Sequence, residues 1–211
     1  MIKNNYILFS VLCVVIFLLS EISKYFLNTN QLLYNSLAEN FSYQQIEELF
    51  RIQRKWQLWG YLLLPVLICI KTQVIAAVLS MGAFFFEKDI KHKQLWGIVL
   101  RAEFIFLMIG VIKIIWFSSF QQDYSLEELH TFYPLSMLSV VGFKNIAPWF
   151  MYPLQIVNVF EIIYCIILSL LIDRTLREND QHSGFKIVAC SYCPAMLIWV
   201  GAVMFMSLNM N

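Results

Sequence analysis

The sequence predicts an all-α fold: a polytopic integral membrane helix bundle with about five transmembrane helices. Of the 211 residues, 60% are apolar and 14% are charged, whereas a soluble domain has roughly 45–50% and about 25%. The mean hydropathy is +0.67. Apolar segments also reach the length of about 20 residues that a helix needs to cross a bilayer core. A soluble enzyme is therefore excluded.

We predict a single domain, residues 1–211, with five spans. The first follows Lys3 and has no small-x-small cleavage site, so we interpret it as an uncleaved anchor rather than a signal peptide. The second would be about 45 Å long, so it must tilt, kink near Pro65 or project from the membrane. The predicted spans are residues 6–27, 57–86, 95–117, 149–172 and 185–208.

The two longer loops are predicted to begin helices at the membrane interface. Ser42-Tyr-Gln-Gln45 and Ser125-Leu-Glu-Glu128 each fit a capping box, which satisfies free N–H groups at a helix start. The first is followed by an amphipathic segment that runs into the second span and serves as an interfacial helix or a partner-docking face. The apolar run 132–143 is too short to cross, which predicts a re-entrant or interfacial segment.

Basic residues in the short loops predict the orientation. An odd number of spans puts loops 87–94 and 173–186 on the same side as Lys3, and basic loops face the cytoplasm. Few Gly and Ala with many Ile, Phe, Lys and Asn indicate an AT-rich bacterial genome. We therefore expect a multi-pass protein of the bacterial cytoplasmic (inner) membrane, with its N-terminus inside and its C-terminus outside. Three basic residues on the predicted outer side do not fit this pattern: Arg51, Arg54 and Lys55.

Ionisable side chains within the spans are candidate functional groups, because burying a charge in lipid is costly unless it is paired or hydrated. Lys71 and Glu161 are expected at similar depths near the bilayer centre. Two interpretations stay open: salt bridges that fix helix positions, or a proton, ion or substrate pathway. The candidates sum to zero charge and are Glu21, Lys71, Arg101, Glu103, Lys113 and Glu161.

A polar stripe is predicted along the fourth span. At about 100° per residue, its members fall within an arc of about 120°. Such a stripe contacts a neighbouring helix or lines a wet cavity, and periodicity does not separate the two. The stripe consists of Gln155, Asn158, Glu161, Cys165 and Ser169.

The cysteines offer one redox hypothesis. Cys190-Ser-Tyr-Cys193 is a C-x-x-C motif of the kind that holds a reactive dithiol. A second cysteine pair near the outer face is lacking, which favours a structural role. We expect no metal site, no cofactor and no catalytic residue, because no zinc-protease, nucleophile-elbow or nucleotide-binding motif occurs.

Short motifs of proline with aromatic residues precede and open the fourth span: Tyr133-Pro-Leu-Ser136, Pro148-Trp149 and Tyr152-Pro-Leu-Gln155. With the five-span layout, they resemble bacterial membrane proteins of the Yip1-like type over about residues 56–207. The resemblance implies a five-helix bundle that acts as a scaffold or trafficking factor without catalysis.

The expected function is non-catalytic, as an accessory or scaffold subunit of a membrane transport or export assembly. The alternatives are a small ion- or proton-coupled transporter that uses Lys71, Glu103 and Glu161, or a membrane thiol oxidoreductase that uses Cys190 and Cys193. Expected partners are the lipid bilayer and other membrane subunits or further copies of the chain. Nucleic acid is excluded because the net charge is only +1.

Overall fold

The computed structural model describes residues 4–38, 40–121, 123–142, 146–176 and 182–210. Lys3 and Arg177, which contribute to the predicted orientation, lie outside the described residues. Within these ranges the chain is helical and forms no strand. The α-helices are α1 (Asn5–Phe26), α2 (Thr29–Ala38), α3 (Tyr43–Phe85), α4 (His92–Ala102), α5 (Leu107–Ser119), α6 (Leu126–Thr131), α7 (Met137–Val141), α8 (Pro148–Ile156), α9 (Val159–Leu176) and α10 (Ser183–Met210).

Three stretches of helix are long and apolar enough to cross a membrane. They are Asn5–Phe26, Trp59–Phe85 and Ser183–Asn209. They coincide with the first, second and fifth predicted spans. The all-helical class is thus confirmed, together with three candidate membrane-spanning helices.

The third and fourth predicted spans are each interrupted. A 3₁₀ helix, Glu103–Phe106, joins α4 to α5, and Val157 with Asn158 separates α8 from α9. The sequence pattern predicted one uninterrupted helix in each case, so the structure differs at both positions. Because 3₁₀ and α segments have different numbers of residues per turn, side chains on either side of such a junction no longer share one helical face.

The helix starts at both predicted capping boxes are confirmed. At the start of α3, the Ser42 amide donates to Gln45 Oε1 over 3.0 Å. At the start of α6, the Glu128 amide donates to Ser125 Oγ at 3.1 Å and the Ser125 amide donates to Glu128 Oε2 at 3.2 Å. α3 has 43 residues and continues without interruption through Pro65. Its length is about 65 Å. The location of these helix starts at a membrane interface stays a prediction.

The core is built around α4. Its residues Leu95–Leu100 are all buried, and the helix packs against α1, α3 and α9, while α10 packs against α3 and α9. A helix that is buried on every side is typical of the centre of a bundle. A smaller cluster of Leu27, Phe117 and Leu129 joins the ends of α1 and α5 to α6.

The segment before α8 folds back onto the start of α9. The Met137 amide donates to the Val157 carbonyl at 2.9 Å, and the Val159 amide donates to the Leu135 carbonyl at 3.1 Å. Leu135 has a φ of +57°, a conformation that side chains other than glycine rarely adopt. These main-chain bonds hold residues 135–137 against the break between α8 and α9.

Candidate functional site in the helix bundle

An ion pair joins α3 to the 3₁₀ helix in the middle of the bundle. Lys71 Nζ lies 2.8 Å from Glu103 Oε2. The Glu103 side chain is 8% exposed, whereas the Lys71 side chain is 52% exposed. A carboxylate buried to this extent needs a charged or hydrogen-bonding partner. Lys71 supplies that partner from the neighbouring helix.

Depth alone suggested Glu161 as the partner of Lys71, but the carboxylate in contact is Glu103. The reason is the arrangement of the helices: α3 packs directly on α4, and Glu103 immediately follows α4. Glu161 instead lies in the first turn of α9. Equal depth along two helices does not establish that the helices are neighbours or that the side chains face each other.

Aromatic rings extend the ion pair to α9. The Tyr164 hydroxyl donates to Glu103 Oε1 at 3.3 Å, and Lys71 Nζ lies 4.7 Å from the centroid of the Phe106 ring. The Phe106 and Tyr164 rings are 4.9 Å apart. A cation over an aromatic face is stabilised by the ring quadrupole. Glu103 and Lys71 thus connect α3, the 3₁₀ helix and α9.

Glu161 forms a second centre, between α9 and α10. The Tyr192 hydroxyl donates to Glu161 Oε1 at 2.5 Å, and the Tyr192 and Tyr164 rings are 5.5 Å apart. Among the described residues, the ion pairs are Lys24–Glu21, Arg51–Glu48 and Lys71–Glu103. Glu161 is therefore hydrogen-bonded to Tyr192 and forms no salt bridge with another described residue.

Tyr133, in the segment that folds back onto α9, is near the Glu161 centre. Burial raises the pKa of the Tyr133 phenol above its usual value, and the nearby groups of Glu161 and Tyr152 raise it further. The phenol therefore stays protonated at neutral pH. A protonated phenol is compatible with a neighbouring carboxylate, whereas a phenolate would repel it.

The predicted polar stripe does not form one surface. Asn158 is the cap of α9: its Oδ1 accepts from the Glu161 amide at 2.8 Å, and its Nδ2 donates to the Gln155 carbonyl at 2.8 Å. Because the helix breaks at this cap, Gln155 belongs to α8. The Ser169 hydroxyl donates to the Cys165 carbonyl at 2.8 Å within α9. Only part of the stripe, from Glu161 onward, shares a continuous helix.

The remaining charged candidates lie apart from these two centres. Glu21 contacts Lys24 at 2.8 Å, and the Tyr61 hydroxyl donates to Glu21 Oε1 at 2.5 Å. Arg101 and Lys113 are half-buried and make no ion pair with any other residue that the structure describes. The structure thus joins Lys71 with Glu103, places Glu161 close by, and leaves Glu21, Arg101 and Lys113 elsewhere.

The two cysteines of the C-x-x-C motif differ in their surroundings. Cys190 is exposed, while Cys193 lies close to Cys165 on α9. All five cysteines are free thiols. The Cys165 and Cys193 thiols are thus neighbours across α9 and α10, as the Cys13 and Cys69 thiols are across α1 and α3.

Three tyrosines complete the network, and none of them was among the predicted site residues. Tyr164 and Tyr192 each donate to a carboxylate, and Tyr61 does so near the end of α1. A tyrosine inside an apolar span carries a hydroxyl that needs a partner when buried. That requirement is the signal in the sequence that could have identified them.

Comparison with protein families, with curated proteins and with solved structures found no match. The resemblance to the Yip1-like family therefore stays a prediction.

Proposed function

We propose that five segments of the chain cross the membrane. Besides the three long apolar helices, the helical stretch His92–Ser119 is at least about 42 Å long, and α9, with 18 residues, is about 27 Å long. Both are comparable with a hydrocarbon core of about 30 Å. The burial of Leu95–Leu100 on all sides supports a central position for the third span.

The proposed orientation puts the N-terminus inside and the C-terminus outside, in the bacterial cytoplasmic membrane. The connection between α3 and α4 contains Lys88 and Lys91. Arg174 lies in the last turn of α9, and Lys186 in the first turns of α10. Basic residues next to span ends favour the cytoplasmic side.

We infer that the bundle is a non-catalytic accessory or scaffold subunit of a membrane transport or export assembly. The observation that carries this proposal is the junction at Glu103, where one carboxylate joins three helical elements. Among the described residues, no buried side-chain nitrogen or oxygen lacks a hydrogen-bond partner. A fully satisfied network rigidifies the helices that it connects, which is what a scaffold requires.

Partner identification tests the scaffold proposal. The wild-type chain, extracted in mild detergent at its native expression level, should co-purify with other membrane proteins at a fixed stoichiometry. Lys71→Met, which removes the ion pair, should lower that yield because the helices lose their fixed arrangement, whereas Lys55→Met on the exposed part of α3 should not. Purification of the wild-type chain alone would contradict the proposal.

A small proton- or ion-coupled transporter is the second candidate, and Glu161 is the observation that favours it. Its carboxylate lies between α9 and α10 with a tyrosine as its bonded partner. A carboxylate without a bonded cation takes up a proton more readily than one held in a salt bridge.

Glu161→Gln separates the two candidates. Glutamine keeps an acceptor for the Tyr192 hydroxyl but carries no titratable proton. A scaffold should assemble with its partners as before. A transporter should fold and insert but lose ion-dependent uptake in proteoliposomes, and combining the change with Lys71→Met should not restore that uptake.

A further inference from the structure

A pocket of about 700 Å³ lies between the end of α1, the start of α2 and the first third of α3. Its lining comes from residues 21–30 and 50–57. These residues stand at the ends of two candidate membrane spans, Asn5–Phe26 and Trp59–Phe85. The pocket therefore lies at one surface of the membrane, whichever way the chain is oriented. Its volume is within the range of about 300–1,000 Å³ that is usual for small-ligand sites.

The charged groups of the pocket leave one positive charge uncompensated. Lys24 donates to Glu21 at 2.8 Å and to the Tyr61 hydroxyl at 3.0 Å, so the Glu21 carboxylate is neutralised within the wall. Arg54 also lines the pocket and makes no ion pair with any residue that the structure describes. Lys24, Arg54 and Glu21 together carry a charge of +1. That charge matches a ligand with a single negative charge.

The chemistry of the two cations favours phosphate as the negative group. The Arg54 guanidinium offers a planar set of N–H donors that fits two phosphate oxygens at once. Lys24 has three N–H donors, and two of them are used by Glu21 and Tyr61. One donor of Lys24 is therefore left for a ligand.

Aromatic side chains form the rest of the wall. Tyr25 and Trp56 are 79% and 68% exposed, and Phe50, one turn before Arg54 on α3, also lines the pocket. One turn further along α3, Trp59 and Leu62 are also exposed at the start of the membrane-crossing stretch. Tyrosine and tryptophan are enriched at this depth because their rings are amphipathic. The ligand should therefore be polar at one end and apolar at the other.

We propose that this pocket binds the headgroup of an anionic phospholipid. Arg54 and Lys24 bind the phosphate, while the glycerol and the first part of the acyl chains lie against Tyr25 and Trp56. This local recognition does not need an excess of basic residues over the whole chain.

Binding of short-chain lipids to the full-length protein in detergent tests the proposal. Native mass spectrometry should detect one dihexanoyl phosphatidylglycerol per chain. Arg54→Gln should weaken that binding about tenfold or more, since it removes a charge-assisted bond. Arg51→Gln is the matched control: Arg51 is one turn away on the same helix, is exposed and pairs with Glu48, and it does not line the pocket. This control should bind as the wild type does.

Two further probes distinguish a lipid from a soluble ligand. Dihexanoylglycerol, which lacks the phosphate, and glycerol 3-phosphate, which lacks the acyl chains, should each bind at least tenfold more weakly than the complete lipid. Equal binding of glycerol 3-phosphate would assign the pocket to a free phosphate ester and overturn the proposal. Equal binding of dihexanoylglycerol, or equal loss in both arginine variants, would overturn it as well.

Discussion

Glu103 connects two helices through the two oxygens of its carboxylate. One carboxylate oxygen binds the Lys71 ammonium and the other accepts from Tyr164, so both acceptors are occupied by different helices. Removing one member of a buried ion pair is costly because the other charge stays behind without compensation. The arrangement therefore makes each partner depend on the other.

A double-mutant cycle should detect this dependence. Lys71→Met leaves the buried Glu103 carboxylate without a cation and should cost about 3–5 kcal/mol of stability. Adding Glu103→Leu should recover much of that loss, because the remaining site is apolar. Thermal unfolding in detergent measures both. The corresponding cycle of Lys71 with Glu161 serves as the comparison, and a larger coupling there would contradict the observed pairing.

At the scale of the helices, polar residues at the junctions determine where a helix ends, which the pattern of apolar residues does not reveal. The Asn158 side chain makes three hydrogen bonds at the junction between α8 and α9. Its Nδ2 donates to the carbonyls of Gln155 and Ile156 at the end of α8, and its Oδ1 accepts from the Glu161 amide in α9. Asparagine is among the best N-cap residues because its oxygen satisfies a free N–H group. Asn158 therefore stabilises the break between α8 and α9, together with the main-chain bonds to residues 135–137.

Asn158→Ala should destabilise the start of α9. Losing an N-cap costs roughly 0.5–2 kcal/mol, and the freed amides should exchange with deuterium faster between residues 156 and 162. Hydrogen exchange with peptide-level resolution measures the effect. Gln155→Ala, just before the break, is the control and should leave the exchange rates there unchanged. Equal acceleration in both variants would argue against a capping role.

Close contact between α9 and α10 depends on a glycine. A Cβ atom at Gly184 would overlap the backbone carbonyl of Ser169 and lie within 3 Å of the Asp173 carboxylate. Backbone atoms cannot rotate away as a flexible side chain can. Small residues are common where membrane helices approach closely.

Gly184→Ala should therefore separate the two helices and lower stability by about 1–3 kcal/mol. Gly201→Ala is the matched control on the same helix, because no atom of another described helix lies within 4 Å of a Cβ placed there. That change should be neutral or stabilise α10 by up to about 1 kcal/mol, since alanine is the better helix former. Melting temperatures of both variants, measured in the same detergent, decide the comparison.

Local features of the fold were predictable from the sequence, and relations between helices were not. Ser42 and Ser125 identified helix starts because a capping box needs only four consecutive residues. The partner of Lys71 was not identified, since sequence position gives the depth of a residue in a helix but not which helix lies beside it. The Tyr192 bond to Glu161 also joins two helices, and hydropathy gives no indication of it.

For the whole molecule, the arrangement of charged loops predicts which end faces which compartment. The basic residues at both short connections favour the cytoplasm. The connection 120–136 instead contains Asp123, Glu127 and Glu128. Acidic residues contribute little to orientation, so the prediction depends on the basic loops.

Thiol labelling in a variant without native cysteines should establish the orientation. Cysteines introduced at Asn35 and Asn209 should react with a membrane-impermeant reagent in intact cells, because both positions are expected outside. A cysteine at His92 should react only after the cells are opened. The reverse pattern would invert the proposed topology.

The length of α3 has a mechanical consequence. Pro65 lacks an N–H group, so the carbonyl four residues earlier, at Tyr61, has no helical donor and the helix is weakest there. Between Tyr43 and Pro65 the helix forms an arm of about 33 Å, whose tip lies well beyond the membrane-crossing stretch. Rotation by about 10° at this pivot would move the tip by about 6 Å. A small tilt of the membrane-embedded half, which carries Lys71, is thus amplified into a larger displacement of the tip.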